Sequence, residues 1–224
     1  MELLVLGDSV PFGRPHYGIC RDRTWPYLLG NELGCSFQMR AKGGATMIDV
    51  MKEVKLLHSY WFEGLDVRKF DTVLIQAGIV DCCPRLAPRS IYGIMRRLPG
   101  FTYLERREYA YRILGRSWTS RRRFAIAVKA IVSIMPSIAS KFYFIEIANP
   151  ANHLLRNVGD FSDLVLKYNS ILKEVAGSGS CISWADKLGH GGSLLPDGHH
   201  LTFQGHRAVF DACLAKLNHS AFMR

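Results

Sequence analysis

Leu3-Leu4-Val5-Leu6 is an unbroken apolar run that stops abruptly at Gly7-Asp8-Ser9. A strand buried on both faces of a parallel sheet reads this way, and the carboxyl ends of such strands are where open α/β sheets place their chemistry. The pattern continues along the chain. Residues 2–6 read as the first strand and 25–33 as a helix ending near Gly34. Residues 35–40 form a second strand and 46–57 a helix with apolar positions at Met47, Ile48, Met51, Val54 and Leu57. A third strand spans 71–77. An irregular or helical insertion rich in arginine follows over 84–118. A helix over 121–135 is stopped by Pro136, and a fourth strand over 141–147 is closed by Asn149-Pro150. A helix over 161–176 ends at Gly177, a fifth strand covers 180–184, and the last helix covers 202–217. Strands alternating with helices imply a parallel sheet joined by right-handed crossovers. The expected fold class is α/β: a three-layer α/β/α sandwich on a flavodoxin-like, five-stranded parallel sheet.

The chain has 224 residues, which suits one domain spanning 1–224, with the insertion at about 84–123. No apolar stretch approaches the roughly 18–20 residues needed to span a bilayer. The first strand begins at residue two, which leaves no space for a signal peptide, so the sequence reads as cytoplasmic. Six cysteines without metal-ligand spacing read as reduced thiols, several of them core fillers. There is no Walker-type loop and no Gly-x-Gly-x-x-Gly after the first strand. The Gly-x-Ser-x-Gly elbow is also absent. A nucleotide-binding reading therefore has only the fold in its favour.

The second informative segment is Asp197-Gly198-His199-His200, close to the carboxyl terminus. A serine hydroxyl is a weak nucleophile unless a base removes its proton during attack, and the base needs a partner to orient it. Ser9, His200 and Asp197 supply these three parts. With only two residues between Asp197 and His200, both side chains can turn the same way from one loop. His199 is the rival imidazole. Asp8 and Asp81 read as structural carboxylates that fix turns through backbone N–H groups.

On these residues the chain resembles the SGNH (GDSL-type) hydrolases. Gly7-Asp8-Ser9 is similar to their serine block, and Asp197-x-x-His200 to their last block. Gly43-Gly44 resembles the glycine block. The resemblance implies that His200 is the base and Asp197 its orienter. It also implies a sheet order of 2-1-3-4-5 and an oxyanion hole formed by the backbone N–H groups of Ser9 and Gly44. The third block departs from the pattern. Where the family has Gly-x-Asn-Asp, this chain has Gly78-Ile79-Val80-Asp81, so Val80 removes a side-chain donor. Arg85, Asn149 and Asn152 are the candidate replacements or substrate contacts. The chemistry calls for no metal and no cofactor.

Net charge is +10, and the excess is concentrated. Between residues 96 and 123 lie nine arginines (96, 97, 106, 107, 112, 116, 121, 122 and 123) against only Glu105 and Glu108, with aromatics interleaved. Such a stretch either binds an anionic group or forms a solvated helical face. Nothing firm points to nucleic acid. The expected function is a serine esterase of the SGNH type that removes or transfers an acetyl group on a small-molecule or carbohydrate ester, an anionic one if the arginines face it. The alternative is a non-catalytic carbohydrate- or anion-binding protein on the same scaffold, against which the retained Ser9, Asp197 and His200 argue.

Overall fold

The computed structural model describes residues 1–63, 69–95, 97, 98, 100, 116–149, 161–184 and 192–222. Its centre is a five-stranded parallel sheet built from β1 (Glu2–Gly7), β2 (Ser36–Ala41), β3 (Phe70–Gln76), β6 (Ala139–Ile145) and β7 (Cys181–Ile182), in the order β2-β1-β3-β6-β7. This is the expected 2-1-3-4-5 arrangement. β1 lies between β2 and β3, with Leu6 opposite Arg40 on one side and Ile75 on the other. Leu3 to Leu6 are fully buried, as a strand covered on both faces requires. β2, at the edge, alternates between exposed and half-buried positions.

Helices cover both faces. α1 (Trp25–Glu32) packs against α7 (Phe203–Phe222); α2 (Met47–Phe62) packs against α5 (Arg121–Ile138), which in turn packs against α6 (Phe161–Ala176). The core joins Val73, Leu74, Ile75 and Phe144 of the sheet to Trp25, Leu29, Val54, Phe124, Ile131, Val165 and Leu172 of the helices. Burying each such side chain is worth about 1.5–3 kcal/mol. Among the described residues no helix is long and apolar enough to cross a membrane.

Three expectations are corrected. Pro136 does not stop its helix but lies inside α5, which continues to Ile138. A proline this close to the end forfeits one late hydrogen bond, and the Ala139 N–H still caps the Met135 carbonyl. The last strand is shorter than expected because β7 pairs only with β6, over two residues. The insertion is tied together at its base: β4 (Pro84–Arg85) and β5 (Arg116–Ser117) form an antiparallel ribbon, with Pro84 opposite Ser117 and Arg85 opposite Arg116. Between them lies a short helix, α4 (Arg89–Met95). Arg96, Arg106, Arg107 and Arg112 lie outside the described residues. Arg121, Arg122 and Arg123 are exposed at the start of α5.

Candidate active site

Ser9 follows the end of β1, where the chain turns away from the sheet. The turn is held from several sides: the Asp8 N–H donates to the Gln76 carbonyl at 3.1 Å, Asp8 Oδ1 accepts the Val10 N–H at 2.8 Å, and the Phe12 N–H donates to the Ser9 carbonyl at 3.2 Å. Gly7 is required by close approach, since a Cβ there would run into the Gln76 carbonyl. Arg14 adds a clamp that the sequence did not reveal, its Nη2 donating to the Ser9 carbonyl at 3.2 Å.

The loop before α7 brings in the imidazole. His200 Nε2 lies 2.9 Å from Ser9 Oγ, across 191 residues of sequence. On the far side of the ring, His200 Nδ1 lies 2.6 Å from Asp197 Oδ2. The other carboxylate oxygen, Asp197 Oδ1, accepts the backbone N–H groups of His199 and His200 at 3.2 and 3.0 Å. One carboxylate therefore shapes the loop and aims the ring. With Nδ1–H directed at Asp197, Nε2 presents its lone pair toward Ser9 Oγ. Burial works against the charge on Asp197, but the His200 ring, the backbone donors and His199 outweigh it, holding the carboxyl well below its usual range. Asp197 is therefore a carboxylate near pH 7.

His199 has a different partner. Its Nδ1 donates to the Asp197 carbonyl at 3.0 Å, and its ring packs against His200 with centroids 4.2 Å apart. Burial, followed by the neighbouring His200, pushes it down to about 4, so it is neutral near pH 7. Asp197, His199 and His200 are the cluster among the described residues whose ligand atoms approach closely enough for a metal ion, within 4.8 Å. Both carboxylate oxygens and both ring nitrogens of His200 are already engaged in the contacts above.

The loop carrying Gly43-Gly44 runs alongside the serine turn, with the Lys42 N–H donating to the Gly7 carbonyl at 3.0 Å. Gly44 has φ of +71°, a conformation costly for any residue with a Cβ. Arg89 grips this loop. Its Nη2 donates to the Gly44 carbonyl at 3.2 Å, and its Nη1 reaches Asp49 Oδ2 at 2.5 Å and Thr46 Oγ1 at 3.3 Å. Val80 lies in the short helix α3 (Ile79–Cys82), is only 6% exposed and belongs to the core. Arg85 sits over Tyr92 and Trp118, at 5.6 and 5.4 Å from their centroids, and its charge helps depress His199. Asn149, just past β6, has a buried Oδ1 that accepts no hydrogen bond among the described residues. Asn152 lies outside the described residues.

Two buried carboxyls underpin the site. Asp81 does not fix its own turn as expected; its Oδ2 accepts the Met47 N–H at 2.8 Å and so ties the third block to the start of α2. Burial pushes Asp81 up to about 7, and burial together with the charge of Asp81 pushes Asp8 up to about 7. A fully buried histidine escaped sequence reasoning. His206 Nδ1 accepts the Trp25 N–H at 3.3 Å, and burial, then Arg14 and His200, lower the ring to about 4. Its only local signal was a place in the helix that follows His200.

These shifts predict a pH dependence of stability. A carboxyl held near 7 in the folded state and near 3.8 when unfolded loses stabilisation as pH rises between those values. A histidine lowered from 6.5 to about 4 does the reverse between 4 and 6.5, so Asp8 and Asp81 are offset there by His199 and His206. Asp8→Asn keeps an acceptor for the Val10 N–H and removes one carboxyl. Its stability relative to the parent should rise by about 1.4 kcal/mol per pH unit from pH 4 to 7. Urea unfolding across that range measures this; a pH-independent difference would mean that Asp8 ionises normally.

No known family model matches the chain, and no curated protein does. Solved structures do match, over almost the whole length. A lipolytic protein of the G-D-S-L family from Veillonella parvula DSM 2008 superimposes with a TM-score of 0.59 at 13% identity, covering 96% of this chain and 97% of its own. An acetylxylan esterase from Geobacillus stearothermophilus gives 0.54 at 14%, covering 96% and 93%. The psychrotrophic esterase EstA from Pseudoalteromonas gives 0.54 at 13%, covering 98% of both chains. The fold is that of the SGNH (GDSL-type) hydrolases.

Proposed function

We propose that this protein is a serine-dependent ester hydrolase of the SGNH type that acts on O-acetyl groups of a carbohydrate through an acyl-serine intermediate. The observation that carries the reading is the continuous hydrogen-bonded line from Ser9 Oγ through His200 to Asp197. In the first half-reaction Ser9 Oγ attacks the ester carbonyl while His200 Nε2 takes its proton. Asp197 stabilises the imidazolium that forms, and the oxyanion rests on the backbone N–H groups of Ser9 and Gly44. The intermediate collapses as His200 returns the proton to the leaving sugar hydroxyl. Water, activated by the same base, then releases acetate; a second sugar hydroxyl in its place makes the reaction an acetyl transfer.

Two observations support a short acyl group. One neighbour in fold is an acetylxylan esterase. The pocket between the residues flanking Ser9 and His200, lined by Asp8, Val10, Ile79, Ile147, Trp184 and His199, is small and mostly apolar. A small apolar pocket suits the methyl of an acetyl group better than a long alkyl chain. The neighbouring Pseudoalteromonas esterase is known in a form inhibited by monoethylphosphonate, a tetrahedral phosphorus species. A fluorophosphonate probe should label the wild-type protein at Ser9, and Ser9→Ala should abolish the labelling. Absence of label on a folded wild-type protein would mean that Ser9 is not activated and would favour a binding role.

A further inference from the structure

Beside the catalytic groups lies a second cleft, of about 250 Å³, built where the insertion leaves and rejoins the domain. Its walls carry Arg85, Arg89 and Arg116 together with Ser117 and Trp118. The β4–β5 ribbon sets Arg85 directly opposite Arg116. Directly opposed residues of an antiparallel pair project to the same side. Two guanidinium groups facing one cleft suit a carboxylate or phosphate, because each planar fork can bond two oxygens.

The cleft is also stiff. The Trp118 Nε1–H donates to the Ala87 carbonyl at 3.0 Å, which fixes the indole as a wall, and Arg85 lies against both that ring and Tyr92. A guanidinium already held by aromatic faces loses little freedom on binding an anion. Arg89 is committed elsewhere, to Asp49 and to the Gly44 carbonyl, and through that bond the cleft abuts the glycine loop. On its other side, the charge of Arg85 reaches His199, next to the catalytic imidazole. The geometric link between the cleft and the site is the Arg89 bond to the Gly44 carbonyl.

We propose that this cleft is an anion subsite of the ester-hydrolysing centre, in which Arg85 and Arg116 bind a carboxylate or phosphate carried by the sugar whose acetyl group is presented to Ser9. The inference rests on the esterase reading and narrows its substrate to an acidic or phosphorylated O-acetyl sugar. The exposed Arg97, Arg121, Arg122 and Arg123 add to the positive field that draws such anions to the protein.

The test compares three esters, an O-acetylated neutral sugar, the matching uronic acid and the matching sugar phosphate, on the wild type, Arg116→Gln, Arg85→Gln and Arg85→Lys. In wild-type protein at low salt, one of the anionic esters should exceed the neutral one in kcat/KM by about tenfold or more, and the preferred anion identifies its source. Each glutamine variant should cut that anionic-to-neutral ratio about tenfold, mainly through KM, and Arg85→Lys should retain part of it. Salt at about 0.5 M should shrink the preference. Calorimetric titration of Ser9→Ala with glucuronate and with inorganic phosphate reads the cleft without turnover. Binding that is lost in Ser9→Ala/Arg116→Gln, with no ester hydrolysed by the wild type, would sink the esterase reading. Hydrolysis of all three esters at equal kcat/KM, with no anion bound in the titration, would overturn the subsite.

Discussion

Ser9→Ala and His200→Ala should each lower kcat for p-nitrophenyl acetate by a factor on the order of 10⁴–10⁶, and the double variant should be scarcely worse than either. The reason is geometric. In the proposed mechanism Ser9 Oγ gains nucleophilicity through the 2.9 Å contact to His200 Nε2, so removing either end removes the same event. Asp197→Asn should also be severe, by about 10⁴, and for a different reason. An amide that keeps accepting the backbone N–H groups of residues 199 and 200 preserves the loop, but it presents the His200 ring with a neutral partner and admits the wrong tautomer. Steady-state kinetics with unfolding curves for each variant separates loss of chemistry from loss of fold. Retention of more than about a tenth of the activity in Ser9→Ala would remove the nucleophile assignment, because single catalytic groups are worth at least 10²-fold. Equal activity of His199→Ala and wild type would complete the assignment of the base to His200.

What was readable in advance follows from the range of the interactions involved. β1 and β3 announced themselves because strands covered on both faces must be apolar throughout, as Leu3–Leu6 and Val73–Ile75 are. Ser9, Asp197 and His200 were legible because each belongs to a short local pattern, and the structure brings the three into one hydrogen-bonded line. What escaped depends on partners distant in sequence. Asp81 looked like a local turn former, yet its acceptor oxygen serves Met47, 34 residues earlier. His206 looked like an ordinary helical residue until packing placed it on the N–H of Trp25, across 181 residues. Arg85 follows the third block and Arg116 falls in the arginine cluster, but only the ribbon register shows that they stand opposite each other. Pro136 was misread because a proline rule for helix interiors was applied within the last turn, where the missing N–H costs little.

Val80→Asn should raise kcat while lowering stability, and the two readouts together locate the oxyanion donor. Losing one such donor typically costs about 2.7–4 kcal/mol, or roughly 10²–10³ in turnover, so restoring one recovers a measurable part, about tenfold or more. The gain requires the new amide to reach the position where the carbonyl oxygen becomes negative. Val80 is 6% exposed in the core, so in the resting protein an asparagine there buries a polar group. A buried amide without a full set of partners costs about 1–3 kcal/mol, and thermal unfolding reads that cost directly. A substrate-like phosphonate that gives the amide an oxyanion partner should return part of the lost stability, and more than it returns in the parent. Lower stability with unchanged kcat would mean instead that the position is already served. Asn149→Ala and Arg85→Ala then decide by what: a fall in kcat of about 10²-fold in one of them marks that side chain as the replacement. If both match the parent and Asn152→Ala does as well, the oxyanion rests on the backbone N–H groups of Ser9 and Gly44. The Arg89 clamp on the Gly44 carbonyl then matters more, because it holds the loop that carries one of the two remaining donors.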